Sequence, residues 1–324
     1  MNGQTRVVPP LGPYYVEPPV RAVGGAGGMA WLWVVFTVAA SGGQVLRNAM
    51  QKELTASLGT VGATQVRFLF GLPFALVFLG IVLAMTRLPL PALNPPMIAW
   101  TVTGAVMQIG GTALLLAVMQ QRSFVVTTAY VKTEPVQVAI FGAIFLDDPV
   151  TPALALAIVI ATGGVLIIAW PRRSSAEIFS WKAALLGLAS GALFAIAAIG
   201  FRGGIRALDS PSFLVGATTT LVLGLLIQVV TLSAYLVIAD RATLTAIARA
   251  WRPSLLAGFM GAFASQMWFL AFALETAAKV RTLALVEILF AQVLSHNLFK
   301  QSLASRDTVG IVLIVAGVVL LLNL

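Results

Sequence analysis

Four ionisable residues, Arg67, Lys132, Glu134 and Glu287, fall in the interior of long apolar runs rather than at their ends. A charge at the centre of a membrane-spanning helix costs about 2.5 to 3.5 kcal/mol on insertion scales, so each needs a partner or a ligand. Two readings are open: a buried ion-pair network that only sets helix register, and a site that binds a solute or couples its movement to an ion. Other chemistry is excluded by residue type. The chain has no cysteine and a single histidine, His296, which removes thiol nucleophiles, disulfides, thiolate metal sites and multi-histidine metal centres. Asp147 and Asp148 have no second acidic cluster with which to hold magnesium, and read as a cap for the helix beginning near Pro149 to Pro152. The glycines near the N-terminus follow no strand and form no phosphate loop. No enzyme activity, cofactor or metal is expected.

Helical phase sorts the candidates. At about 100° per residue, Thr127, Tyr130, Glu134 and Gln137 share one narrow sector of the run 124–146, with Phe141 inside it, while Lys132 points almost the opposite way. Glu134 thus belongs to a polar stripe and Lys132 reads as structural. Similar stripes are Trp33, Thr37, Ser41, Gln44 and Asn48; Thr60, Thr64, Arg67 and Gly71; and Thr101, Gln108 and Thr112. In lipid such stripes must face protein or water, and four together favour a shared cavity over separate interhelical hydrogen bonds. The second half is thinner, offering Gln266, Trp268 and Glu287, so the expected site is asymmetric. Arg67 is expected to hold Glu134 ionised, which leaves Glu287 as the proton-sensitive coupling group. The expected lining is Trp33, Gln44, Asn48, Arg67, Gln108, Tyr130, Glu134, Gln137 and Trp268.

The elements that must position these residues follow from composition. Of 324 residues, 59% are hydrophobic and 10% charged, against about 45 to 50% and about 25% in soluble domains. Apolar runs near 30–50, 60–85, 97–119, 124–146, 152–170, 182–201, 212–239, 254–274, 280–299 and 307–324 are each long enough to span a bilayer. The net charge of +9 lies mostly in the intervening loops, where it sets topology rather than binding nucleic acid. Residues 1 to 28, rich in Pro and Gly, read as a disordered tail. Val61-Gly62-Ala63-Thr64 recurs as Val215-Gly216-Ala217-Thr218, a shift of 154, and at a shift of 153 Glu134 falls on Glu287 and Gly164 on Gly317. Two halves, 29–175 and 176–324, then hold five spans each, and an odd number forces the second to enter the membrane inverted. The expected fold is all-α integral membrane, ten transmembrane helices as two inverted five-helix repeats, with a site near the midplane. Gly187 and Gly191 read as a close-packing surface, and the fifth and tenth runs, almost free of polar residues, as peripheral scaffold.

The stretch from Leu114 to Trp170, with Tyr130, Glu134-Pro135, the acidic break Asp147-Asp148 and Gly163-Gly164-Val165, resembles the second part of an EamA repeat of the drug/metabolite transporter (DMT) superfamily. Residues 269 to 324, with Glu287, Phe299-Lys300 and Gly317-Val318, resemble the same segment in the second repeat. Two departures stand out: the Glu usual between a repeat's last two helices is Asp148 in one half and Gln301 in the other, and Glu287 has no following Pro, which predicts a weaker kink there. The resemblance implies export or exchange of small metabolites, in the inner membrane of a bacterium with both termini cytoplasmic; Lys and Arg counts by loop favour the reverse orientation.

The expected partners are therefore a small-molecule substrate, the lipid bilayer, and a coupled proton or counter-substrate. Amides beside aromatic faces suit a small amphipathic metabolite, amino-acid-like compounds first. The rivals are an organic cation or drug exporter and a non-transporting membrane receptor or assembly protein. With only Arg67 and a misdirected Lys132 as cations, phosphate esters are expected to be poor substrates.

Overall fold

The computed structural model describes residues 31–121, 131–169, 181–290 and 305–324; the tail expected over residues 1 to 28, and Thr127, Tyr130 and His296, lie outside them. Regular structure in the described residues is helical throughout. The order is α1 (Leu32–Leu69), α2 (Gly71–Thr86), α3 (Pro95–Gln121), α4 (Glu134–Leu146), α5 (Pro152–Ala169), α6 (Trp181–Ala207), α7 (Phe213–Ala239), α8 (Arg241–Arg249), α9 (Trp251–Leu274), α10 (Ala277–Leu283), a 3₁₀ turn (Ala284–Val286) and α11 (Ser305–Leu322).

Within α1, Gly59 adopts φ 68° and ψ 176°, a left-handed φ that a residue with a Cβ rarely adopts. Gln51 Nε2 donates to Ala63 O at 3.0 Å, although a straight helix would hold those residues about 18 Å apart. The chain therefore folds back at Gly59, and Leu32–Thr86 makes two passes. The segment between the first two spans, expected as a loop, is helical, with Gln51, Leu54, Thr55 and Leu58 buried. Eight further passes follow: α3, 131–146, α5, α6, α7, α9, 277–290 and α11. The fold is ten helices in two inverted five-helix repeats.

Small residues set the closest helix contacts. A Cβ on Gly200 of α6 would lie 2.6 Å from Gly104 N of α3, and one on Gly191 would lie 3.0 Å from Val131 O. Gly191 thus serves packing within the chain, and Gly187 on the same helix is buried. Helices α5 and α11 pack on each other through Ala157, Ala161 and Val165 against Ile314, Val318 and Leu321, while Leu156, Val159, Val312, Val315 and Val319 are exposed outward. Such faces fit lipid rather than water.

The connections are capped locally. Asn94 Oδ1 accepts from Met97 N at 2.8 Å at the start of α3. Asp147 ends α4 with φ 54°. The expectation that the acidic pair caps α5 is not met: Thr151 Oγ1 accepts from Leu154 N at 3.2 Å, and Asp148 turns to α6 instead.

Candidate functional site

Both midplane carboxylates stand immediately after an interruption in helix geometry. A turn at Lys132 and Thr133 precedes α4, so Glu134 is the first residue of that helix, with Pro135 beside it. Proline fits a first turn because its missing N–H would be unpaired there anyway, and the helix N-terminus favours an acidic group. In the second repeat the 3₁₀ turn Ala284–Val286 precedes Glu287, so the chain is irregular at that point without a proline. Because the helix is interrupted, the 100° phase used for the run 124–146 does not carry through it. Lys132 therefore faces the same cavity as Glu134, contrary to the structural role read from phase.

That cavity is lined by Gln44, Arg47, Asn48, Arg67, Gln108, Leu115, Val131, Lys132, Glu134, Phe194, Trp268, Arg281 and Glu287. Each repeat supplies a carboxylate that is met by a cation of the other. Lys132 Nζ lies 2.5 Å from Glu287 Oε2, and Arg281 Nε lies 3.1 Å from Glu134 Oε1. The second pair is electrostatic rather than an aligned hydrogen bond. Gln44 joins the halves again, its Nε2 donating to Glu287 Oε2 at 2.8 Å while its Oε1 accepts from Trp268 Nε1 at 3.0 Å. The Arg281 guanidinium sits 4.5 Å from the centre of the Trp268 ring, a cation-π arrangement.

Arg67 does not pair with Glu134. Its Nη1 donates to Thr112 Oγ1 at 3.0 Å, and the role expected of it falls to Arg281, which lies one turn inside α10 rather than in a loop. Arg47 and Arg281 were missed in the sequence, and with Lys132 they overturn the expectation of a cavity poor in cations. Among the expected residues, Gln44, Asn48, Arg67, Gln108, Glu134, Trp268 and Glu287 come together here. Trp33 is buried in the apolar core and Gln137 is half-buried with Nε2 3.5 Å from Thr133 Oγ1; neither lines the cavity. Tyr130 lies outside the described residues. Most of the lining comes from the first half, with Phe194 of α6, Trp268 of α9, Arg281 of α10 and Glu287 completing it.

A second polar cluster lies toward the end of the molecule where α4 and α9 terminate. Arg202 binds Asp148 through both Nε (3.2 Å) and Nη2 (3.3 Å) and donates through Nη1 to Phe272 O at 2.6 Å and to Glu275 O. Arg206 adds contacts from Nη1 to Leu146 O at 3.0 Å and Asp148 Oδ1 at 3.4 Å. Two helix C-termini and the first helix of the second repeat are thereby tied together.

The model of the EamA-like transporter family matches residues 29–170 and again 181–323. No curated protein matches the chain. Among solved structures, a crystal structure described only as that of a protein aligns over 90% of this chain and 95% of its own, at 12% identity and a TM-score of 0.65, which speaks to fold alone.

Proposed function

The chain belongs to the EamA-like transporter family and is a membrane transporter of the DMT superfamily, and from this we propose that it is a secondary transporter working by alternating access around the cavity. Residues 29–175 and 176–324 act as the two halves that rock against each other. The observation carrying this reading is the reciprocal pairing of Glu134 with Arg281 and of Glu287 with Lys132. Ion pairs between two halves can be exchanged for contacts with a bound solute, which gives the solute differential affinity for the arrangements it switches.

The substrate is a small amphipathic metabolite, amino-acid-like compounds first: Gln44, Asn48 and Gln108 can donate and accept, and Trp268, Phe194 and Leu115 offer an apolar wall. An organic cation exporter is disfavoured by four cationic side chains against two carboxylates in the same lining. Coupling is by exchange or by a proton at Glu287, which Lys132 and Gln44 hold between them. The protein resides in the inner membrane of a bacterium with its termini in the cytoplasm. Counterflow in proteoliposomes tests the reading: solute-specific exchange is expected, weakened at least tenfold by Gln108→Ala. Absence of any exchange across a broad solute panel would favour a non-transporting receptor or assembly protein instead.

A further inference from the structure

The charges of the cavity do not cancel. Lys132 and Arg281 are matched by Glu287 and Glu134, and among the described residues Arg47 and Arg67, 2% and 3% exposed, have no carboxylate within ion-pair distance, Glu287 acting on Arg47 only from farther off. Arg47 spends Nε and Nη2 on a single neutral oxygen, Asn48 Oδ1, at 3.2 and 2.7 Å. Among the described residues its Nη1 has no partner, nor has Arg67 Nε. The two stems lie side by side, since a Cβ at Gly261 would meet Arg67 Cγ at 3.1 Å and Arg47 Cδ at 3.6 Å. The sequence segments 122–130 and 291–304 contain no Asp or Glu.

Two like charges in an interior of low dielectric repel strongly and keep their solvation debt. A guanidinium pair also presents parallel donors that match a carboxylate or phosphate far better than a neutral group. We propose that the transported substrate is a small organic dianion, docked through an oxyanion on Arg47 and Arg67 with its carbon frame toward Trp268 and Phe194. This rests on the transport reading above and replaces its amino-acid-like substrate with a dianion at the same site. It also reverses the expectation that anionic esters are excluded. A dicarboxylate and a phosphate monoester share the required charge, and the two are separate arms of the test.

The full-length protein, purified in detergent and reconstituted in liposomes, is given succinate, glycerol phosphate or leucine at equal ionic strength, with chloride as the blank. Thermal stabilisation and counterflow are read in parallel. One or both dianions are expected to raise the melting temperature and to exchange at least tenfold faster than leucine, and Arg47→Gln and Arg67→Gln are each expected to lose at least tenfold of that affinity. Arg47→Lys, which keeps the charge without the fork, retains part of it. Stabilisation without counterflow would keep the dianion site and remove the transport reading. Leucine exchange with no dianion effect would keep transport and overturn the dianion. Dianion stabilisation unchanged in both Gln variants would overturn the assignment to Arg47 and Arg67.

Discussion

At the scale of residues, the contact between Lys132 and Glu287 is the clearest commitment of the molecule. Both side chains are almost wholly buried at 2.5 Å, and removing one partner of such a pair costs about 3 to 5 kcal/mol because the other charge is stranded. Lys132→Met and Glu287→Met should each lower the melting temperature strongly in detergent, while the double substitution should lose much less than their sum. Strictly additive losses would mean that the two groups do not act as a pair. The sequence made Glu134 and Glu287 legible because a charge in an apolar run stands out on composition alone. Lys132 was misread because phase was carried across the turn at Thr133. Arg281 was missed because it sits near the start of an apolar run, where a basic residue ordinarily marks a loop. Arg47 was missed because it is adjacent to the polar stripe of Gln44 and Asn48 rather than on it.

At the scale of elements, α5 and α11 approach so closely that their backbones interlock. A Cβ on Gly164 would lie 2.5 Å from Gly310 O, and one on Gly310 would lie 2.6 Å from Gly164 O. Gly164→Val should therefore cost more than the about 1 to 3 kcal/mol of ordinary overpacking, because the obstacles are backbone atoms. The check is the yield of monodisperse protein, expected to collapse for this variant but not for Gly80→Ala, where a Cβ meets nothing within 4 Å. Helix α8 depends on a cap instead: Asp240 accepts from Thr243 N at 3.1 Å and from Thr243 Oγ1 at 2.6 Å. These bonds, the side-chain one first, hold its carboxyl below the ordinary range. A depressed pKa means that the cap's contribution is complete above the unfolded carboxyl pKa and is lost as pH falls through the lower folded value. Asp240→Ala should accordingly increase proteolytic cleavage within 240–250 at neutral pH, and equal cleavage in parent and variant would remove the cap. Element existence was readable from run length and hydropathy. Element ends were not, because Gly59 reverses the chain within a continuous helical pattern and hides the first loop.

At the scale of the whole molecule, the near-constant shift between the halves was visible in a few letters and correctly implied two inverted repeats, since a five-span unit must invert its successor. What the letters could not give was how the repeats lock together, because Asp148 and Arg202 lie in different halves and the acidic break that contains Asp148 does not name its partner. Arg202 gathers both oxygens of Asp148 and the carbonyls of Phe272 and Glu275, which ties the ends of α4 and α9 to α6. Alternating access requires that this tie break when the other face closes. Asp148→Asn weakens it by removing the charge that Arg202 and Arg206 share. The chain has no cysteine, so a single Cys placed at Ala271, fully buried on α9 between Trp268 and the tie, reports opening without background. In the otherwise unaltered chain this Cys should react slowly with an impermeant maleimide, and Asp148→Asn should speed the reaction several-fold. With the termini in the cytoplasm, the faster reaction should appear in inverted vesicles and not in whole cells. An equal rate with and without Asp148 would dissolve the tie as a gate, whereas acceleration confined to whole cells would keep the gate and turn the molecule over in the membrane.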